Sequence, residues 1–159
     1  MTVCPPRYRE ISVQGPPREL GRQIGEAARD ELREFCEVAL DRVNKTAVVS
    51  RDEADAIAAT CLDAVEAYNP SLVEELRGMA EASGVTLADL MLLQVRNQLT
   101  AESEAGCTSL SLAASHTVVG HGLVAQNWDN DPALDDFTVV LTRHPEGRPS
   151  LTTVRSSSG

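Results

Sequence analysis

Apolar residues recur along this 159-residue chain with two different periods, and the change of period falls at residues 106–107. Leu20, Ile24, Ala28, Leu32, Phe35, Ala39 and Val43 return every three or four positions, which places them on one face of a helix. Gly21 and Gly25 sit beside that face and predict the close approach of another element. Ser50 and Glu53 form a capping box that opens a second helix, with Ala54, Ile57, Ala58, Cys61, Val65 and Tyr68 as its stripe. Asn69-Pro70 ends that helix and starts a third, which turns Val73, Leu76, Met79 and Ala80 inward and stops at a left-handed Gly84. Thr86 and Asp89 cap a fourth, running to about Leu99. Its apolar residues Leu87, Leu90, Met91, Leu92, Leu93 and Val95 go almost all round, so it is expected to be the most buried helix.

From Cys107 the period shortens to two. Strands are expected over residues 107–113, 117–119, 123–128, 137–143 and 150–154, with turns at Gly120-His121-Gly122 and His144-Pro145-Glu146-Gly147. The fold class predicted is α+β: a helical segment 1–106 followed by antiparallel strands in 107–159. These few strands have an open edge and no layer of their own to cover them. The expectation is therefore an N-terminal portion of a longer protein, poorly stable when isolated.

Composition narrows the function classes. Hydrophobic residues make up 42% and aromatics 3%, so the core must be built mainly from Ala, Leu and Val. The formal net charge of −10 argues against nucleic acid or an anionic membrane as partner. Cys4, Cys36, Cys61 and Cys107 form no metal-ligand spacing, and no targeting or membrane-spanning run is present. No metal or bound cofactor is called for, and a cytoplasmic, reducing setting is expected.

Two places could carry chemistry. Cys107 follows Gly106 at the head of a predicted strand, where its thiol can reach back to a carbonyl that no Cβ obstructs. Attack there would make a thioester, and hydrolysis would leave Cys107 as a new N-terminus. Its α-amino group, with an ordinary pKa of about 7.7–8.0, could serve as general base. The bland alternative is a small buried cysteine. The second place is Gln126-Asn127-Trp128-Asp129, where a strand gives way to a loop; a solvated acidic loop is its plain reading, and a calcium loop fits badly. His116, His121 and His144 are expected to be exposed turn residues, not partners of Cys107.

In combination these residues resemble the acyl-coenzyme A:6-aminopenicillanic acid acyltransferase family, the isopenicillin-N acyltransferase-like proteins. Glu75-Leu76-Arg77-Gly78-Met79-Ala80-Glu81-Ala82-Ser83-Gly84-Val85 is similar to that family's E-x-x-G-x-A-E-G-x-G-V stretch. Gly106-Cys107-Thr108-Ser109 is similar to its processing site, and Gly122 through Gln126-Asn127-Trp128-Asp129 to its G-x-x-x-G-Q-N-W-D segment. Glu19-Leu20-Gly21-Arg22-Gln23-Ile24-Gly25 is a weaker echo. Leu93-Gln94-Val95-Arg96-Asn97-Gln98 departs from the family's L-N-x-R-x-E.

The resemblance implies an N-terminal-nucleophile αββα sandwich, incomplete here, cut between Gly106 and Cys107 into two subunits. It makes Cys107 the nucleophile and Asp129 an active-site carboxylate, supported by Thr108, Asn127 and Trp128. It implies amide hydrolysis, or acyl transfer between coenzyme A thioesters and amines, on a small-molecule substrate. Oxyanion-stabilising residues would lie downstream, so this portion alone is expected to be inactive. Alternatives are a bile-salt or penicillin V amidase-like or ceramidase-like hydrolase, and a non-catalytic truncated α+β module.

Overall fold

The computed structural model describes residues 7–44, 48–96, 107–127 and 132–156, and within them the chain is mixed α+β. Helix α1 (Pro17–Ala27) and helix α2 (Arg29–Val43) carry the first apolar stripe. That stripe is one face but two helices, because Ala28 leaves helical geometry at φ −111°, ψ 28°. Leu20, Ile24, Ala28, Leu32, Phe35 and Ala39 are all buried on either side of the break.

Helix α3 (Arg51–Tyr68) begins at the Ser50–Glu53 capping box, both halves of which are made. Its expected stripe is only partly inward. Ala54 and Ala58 are buried, Ile57 is exposed, and Tyr68, the last residue of the helix, is 87% exposed. Helix α4 (Pro70–Ser83) is capped by Asn69 and ends at Gly84, whose φ of 78° is left-handed. Helix α5 (Leu87–Val95) is capped by Thr86, and four consecutive residues, Leu90 to Leu93, are buried.

The glycines fix the central helix pair. A Cβ on Gly21 would lie 1.8 Å from the Glu75 carbonyl oxygen, and one on Gly78 would lie 2.1 Å from that of Arg18. Helices α1 and α4 therefore cross backbone against backbone, a distance only glycine permits on both sides.

Strand β1 (Arg9–Gly15) corrects the expectation of a wholly helical first segment. It pairs in parallel with β4 (Thr138–Pro145), with Ile11 opposite Leu141 and Val13 opposite Arg143. Strand β5 (Leu151–Ser156) pairs antiparallel with the other edge of β4, giving the order β1-β4-β5. The antiparallel expectation for residues 107–159 thus holds for β4–β5, and the parallel pair is the one that β4 makes with the unexpected β1. Alternation drives β1: Ile11 and Val13 are buried while Glu10 and Ser12 are exposed. Ile11, Val13, Val139 and Leu141 join Leu20, Ile24, Leu32 and Phe35 in one core. The chain's two phenylalanines, Phe35 and Phe137, stack there with centroids 4.9 Å apart and planes 2° from parallel.

Strand β2 (Thr108–Leu112) and strand β3 (Leu123–Asn127) make a separate antiparallel hairpin. The strand expected over 117–119 is absent. The Thr117 hydroxyl donates instead to the backbone oxygens of Ala114 and His121, which winds this stretch into a turn, and Val118 and Val119 point outward.

Candidate functional site

Cys107 stands at the entrance to β2 and is exposed, which removes its reading as a small buried core thiol. The hairpin register sets its surroundings. Thr108 lies opposite Asn127, Ser109 opposite Gln126, and Leu110 opposite Ala125. The end of β3, from which the chain continues to Trp128 and Asp129, is therefore beside the start of β2. Gly106, Trp128 and Asp129 themselves lie outside the described residues, as does Leu99 at the predicted end of α5.

The Thr108 amide donates to the side-chain oxygen of Asn127 at 2.6 Å. This contact closes the hairpin at the end that carries Cys107. It also gives Asn127 and Thr108, named only as supporting residues, a concrete relation to one another. The ten-residue connection 113–122 between the two strands left this register unmarked in the sequence.

The histidines are elsewhere. His116 and His121 belong to the connection at the opposite end of the hairpin, five residue pairs from Cys107, or roughly 16 Å of strand. His144 lies on β4 and not in a turn as expected, with its Nδ1 2.7 Å from the Ser150 hydroxyl; it too is exposed. Among the described residues no cluster of three or more His, Cys, Asp and Glu is placed to hold a metal, and no helix is long and apolar enough to cross a membrane.

The stretch from Glu75 to Gly84 turns out to work as a joint. Glu75 accepts from Arg143 of β4 at 2.6 Å, Gly78 admits α1, Glu81 pairs with Arg18, and Gly84 ends the helix. Sequence reading assigned Glu75 no partner, since Arg143 is 68 residues away. Arg96, the residue retained from the departing L-N-x-R-x-E pattern, closes the C-terminal end of α5. Its guanidinium donates to the Leu93 carbonyl and lies 4.9 Å from the centre of the Phe35 ring, and burial pushes its pKa down.

The β2–β3 hairpin is different in character from this core. Thr108 to Ser111 and Leu123 to Asn127 are exposed, including Leu110, Leu123 and Val124. The ladder of two strands is thus the frame that presents Cys107, and neither face of it is closed by the described residues. No protein-family model matches the chain, and no curated protein matches it.

Proposed function

We propose that this protein is a self-processing cysteine amidase or acyltransferase of the N-terminal-nucleophile kind, cut between Gly106 and Cys107. The observation that carries this reading is the exposed Cys107 at the entrance of a strand whose ladder begins one residue later, at Thr108. A thiol so placed borders an extended segment on one side and, in the sequence, a glycine on the other.

In the processing step the Cys107 sulfur adds to the Gly106 carbonyl carbon. The Gly106–Cys107 carbon–nitrogen bond breaks, the departing nitrogen takes up the thiol proton, and a thioester remains. Water then hydrolyses it to the Gly106 carboxylate and a free thiol. The same residue, now bearing an α-amino group as base, would attack the carbonyl of a small acyl amide or acyl-coenzyme A substrate. Asp129 is assigned to assist the cleavage or to orient that amino group, with Trp128 preceding it in the sequence. An N-terminal-nucleophile sandwich is the fold this reading requires.

The test is intact-mass spectrometry of the complete gene product. A piece ending at Gly106 and another beginning at Cys107 are expected in the wild type, and one uncut chain in Cys107→Ala. An uncut wild type, or cutting that persists in Cys107→Ala, would overturn the proposal.

A further inference from the structure

We infer that Asn127 is a positioning residue for Cys107, holding the peptide plane through which the nucleophile is attached to the fold. The inference rests on the reading of Cys107 as the nucleophile. The Thr108 amide nitrogen, the Cys107 carbonyl and the Cys107 Cα all lie in one peptide plane. Asn127 grips that plane by its amide edge, through the 2.6 Å hydrogen bond from the Thr108 nitrogen to the Asn127 side-chain oxygen.

Asn127 can reach because it is the residue opposite Thr108 in the β2–β3 register. The rest of the ladder, Ser109–Gln126 through Leu112–Leu123, then fixes Asn127 itself. With Thr108 held, the Cα of Cys107 has a set position, and only rotation about its own bonds remains for the thiol to find a carbonyl. Once the Gly106–Cys107 bond is broken, this peptide plane is the only covalent link of the nucleophile to the protein.

The contact is exposed, so its net worth to folding is small, that of one hydrogen bond in competition with water. Its effect belongs in orientation, where small displacements of a reacting group change rates far more than they change stability. A residue that only stabilised the hairpin would show the reverse proportion.

The experiment compares the complete gene product as wild type, Asn127→Ala and Asn127→Asp, the last keeping an acceptor oxygen. Appearance of the Cys107-initiated piece is followed by intact mass. Hydrogen exchange at the Thr108 amide is read in the uncut Cys107→Ala background with and without Asn127→Ala. Expected are cutting slowed about tenfold or more in Asn127→Ala and rescued in Asn127→Asp, faster Thr108 exchange in Asn127→Ala, and a nearly unchanged melting temperature. Wild-type cutting with Asn127→Ala cutting equally fast overturns this inference alone, as does unchanged Thr108 exchange. Failure of Asn127→Asp to restore the rate overturns it too. A wild type that stays uncut overturns the proposed function, and this inference with it.

Discussion

Glu75 on α4 and Arg143 on β4 meet at 2.6 Å, with side chains only 17% and 15% exposed, and so tie the helical layer to the central strand of the sheet. Both nitrogens of one edge of the guanidinium, Nε and Nη2, donate to the same carboxylate oxygen. The pair sits between the regime of surface pairs, which are worth little, and fully buried ones, where loss of one partner strands a charge.

Arg143→Met is expected to destabilise the fold by about 2 kcal/mol, between those two limits. Denaturant unfolding of Arg143→Met, Glu75→Gln and the double variant checks this. The double variant should cost less than the sum of the singles, because it leaves neither charge stranded. Simple additivity would show that the pair is not coupled.

The α1–α4 crossing makes a larger claim. Gly21→Ala and Gly78→Ala would each drive a methyl into a backbone oxygen, at 1.8 and 2.1 Å. Backbone cannot rotate aside as a side chain does, so each is expected to cost about 3 kcal/mol or more by forcing the helices apart. Gly120→Ala is the contrasting position, since nothing stands within 4 Å of its missing Cβ, and its cost is that of the left-handed backbone alone. Thermal unfolding of the three variants separates the two effects.

If the chain is cut at Gly106–Cys107, the two pieces are expected to remain together. The β1–β4 ladder, the Phe35–Phe137 stack and the Glu75–Arg143 pair all join residues before the junction to residues after it. Size-exclusion chromatography of cut protein should give one species, resolved into two only in denaturant. Separation without denaturant would show that these contacts do not hold the pieces.

The cysteines should differ in chemistry. Burial, and after it the charge of Asp89, pushes the Cys36 thiol up to about 12. Alkylation at pH 8 is expected to spare Cys36 in the folded protein while labelling exposed Cys107, as peptide mapping would read out. The folded state holds the Cys36 proton more tightly than the unfolded chain does. This contribution to stability is therefore complete below the ordinary thiol pKa of about 8.5 and declines as pH rises from there toward 12. Cys36→Val should flatten that part of the alkaline stability profile relative to wild type.

The helices were legible from the sequence because what makes them is local. Ser50 with Glu53, Asn69 with Pro70, Gly84, and Thr86 with Asp89 each settle a helix end among residues a few positions apart, and the buried faces follow from spacing. The β4–β5 hairpin was legible in outline for the same reason, its turn being short-range, whereas the direct pairing of β2 with β3 was not, because a strand was expected between them at 117–119. Gly21 even announced its close contact, though not with which helix. Tertiary structure alone decided the partners. Strand β1 is short and finds its mate 130 positions along the chain, at the Arg9–Val139 pair, so its alternation carried no pairing information. Glu75 and Gly78 stood out in the sequence only as members of the Glu75–Val85 stretch, and that Arg143 meets the one and α1 lies against the other was not written there. At the candidate site the order of residues made Cys107 conspicuous. The hydrogen bond from Thr108 to Asn127 exists only because the strand register sets them opposite one another, and register is settled by the pairing of whole strands.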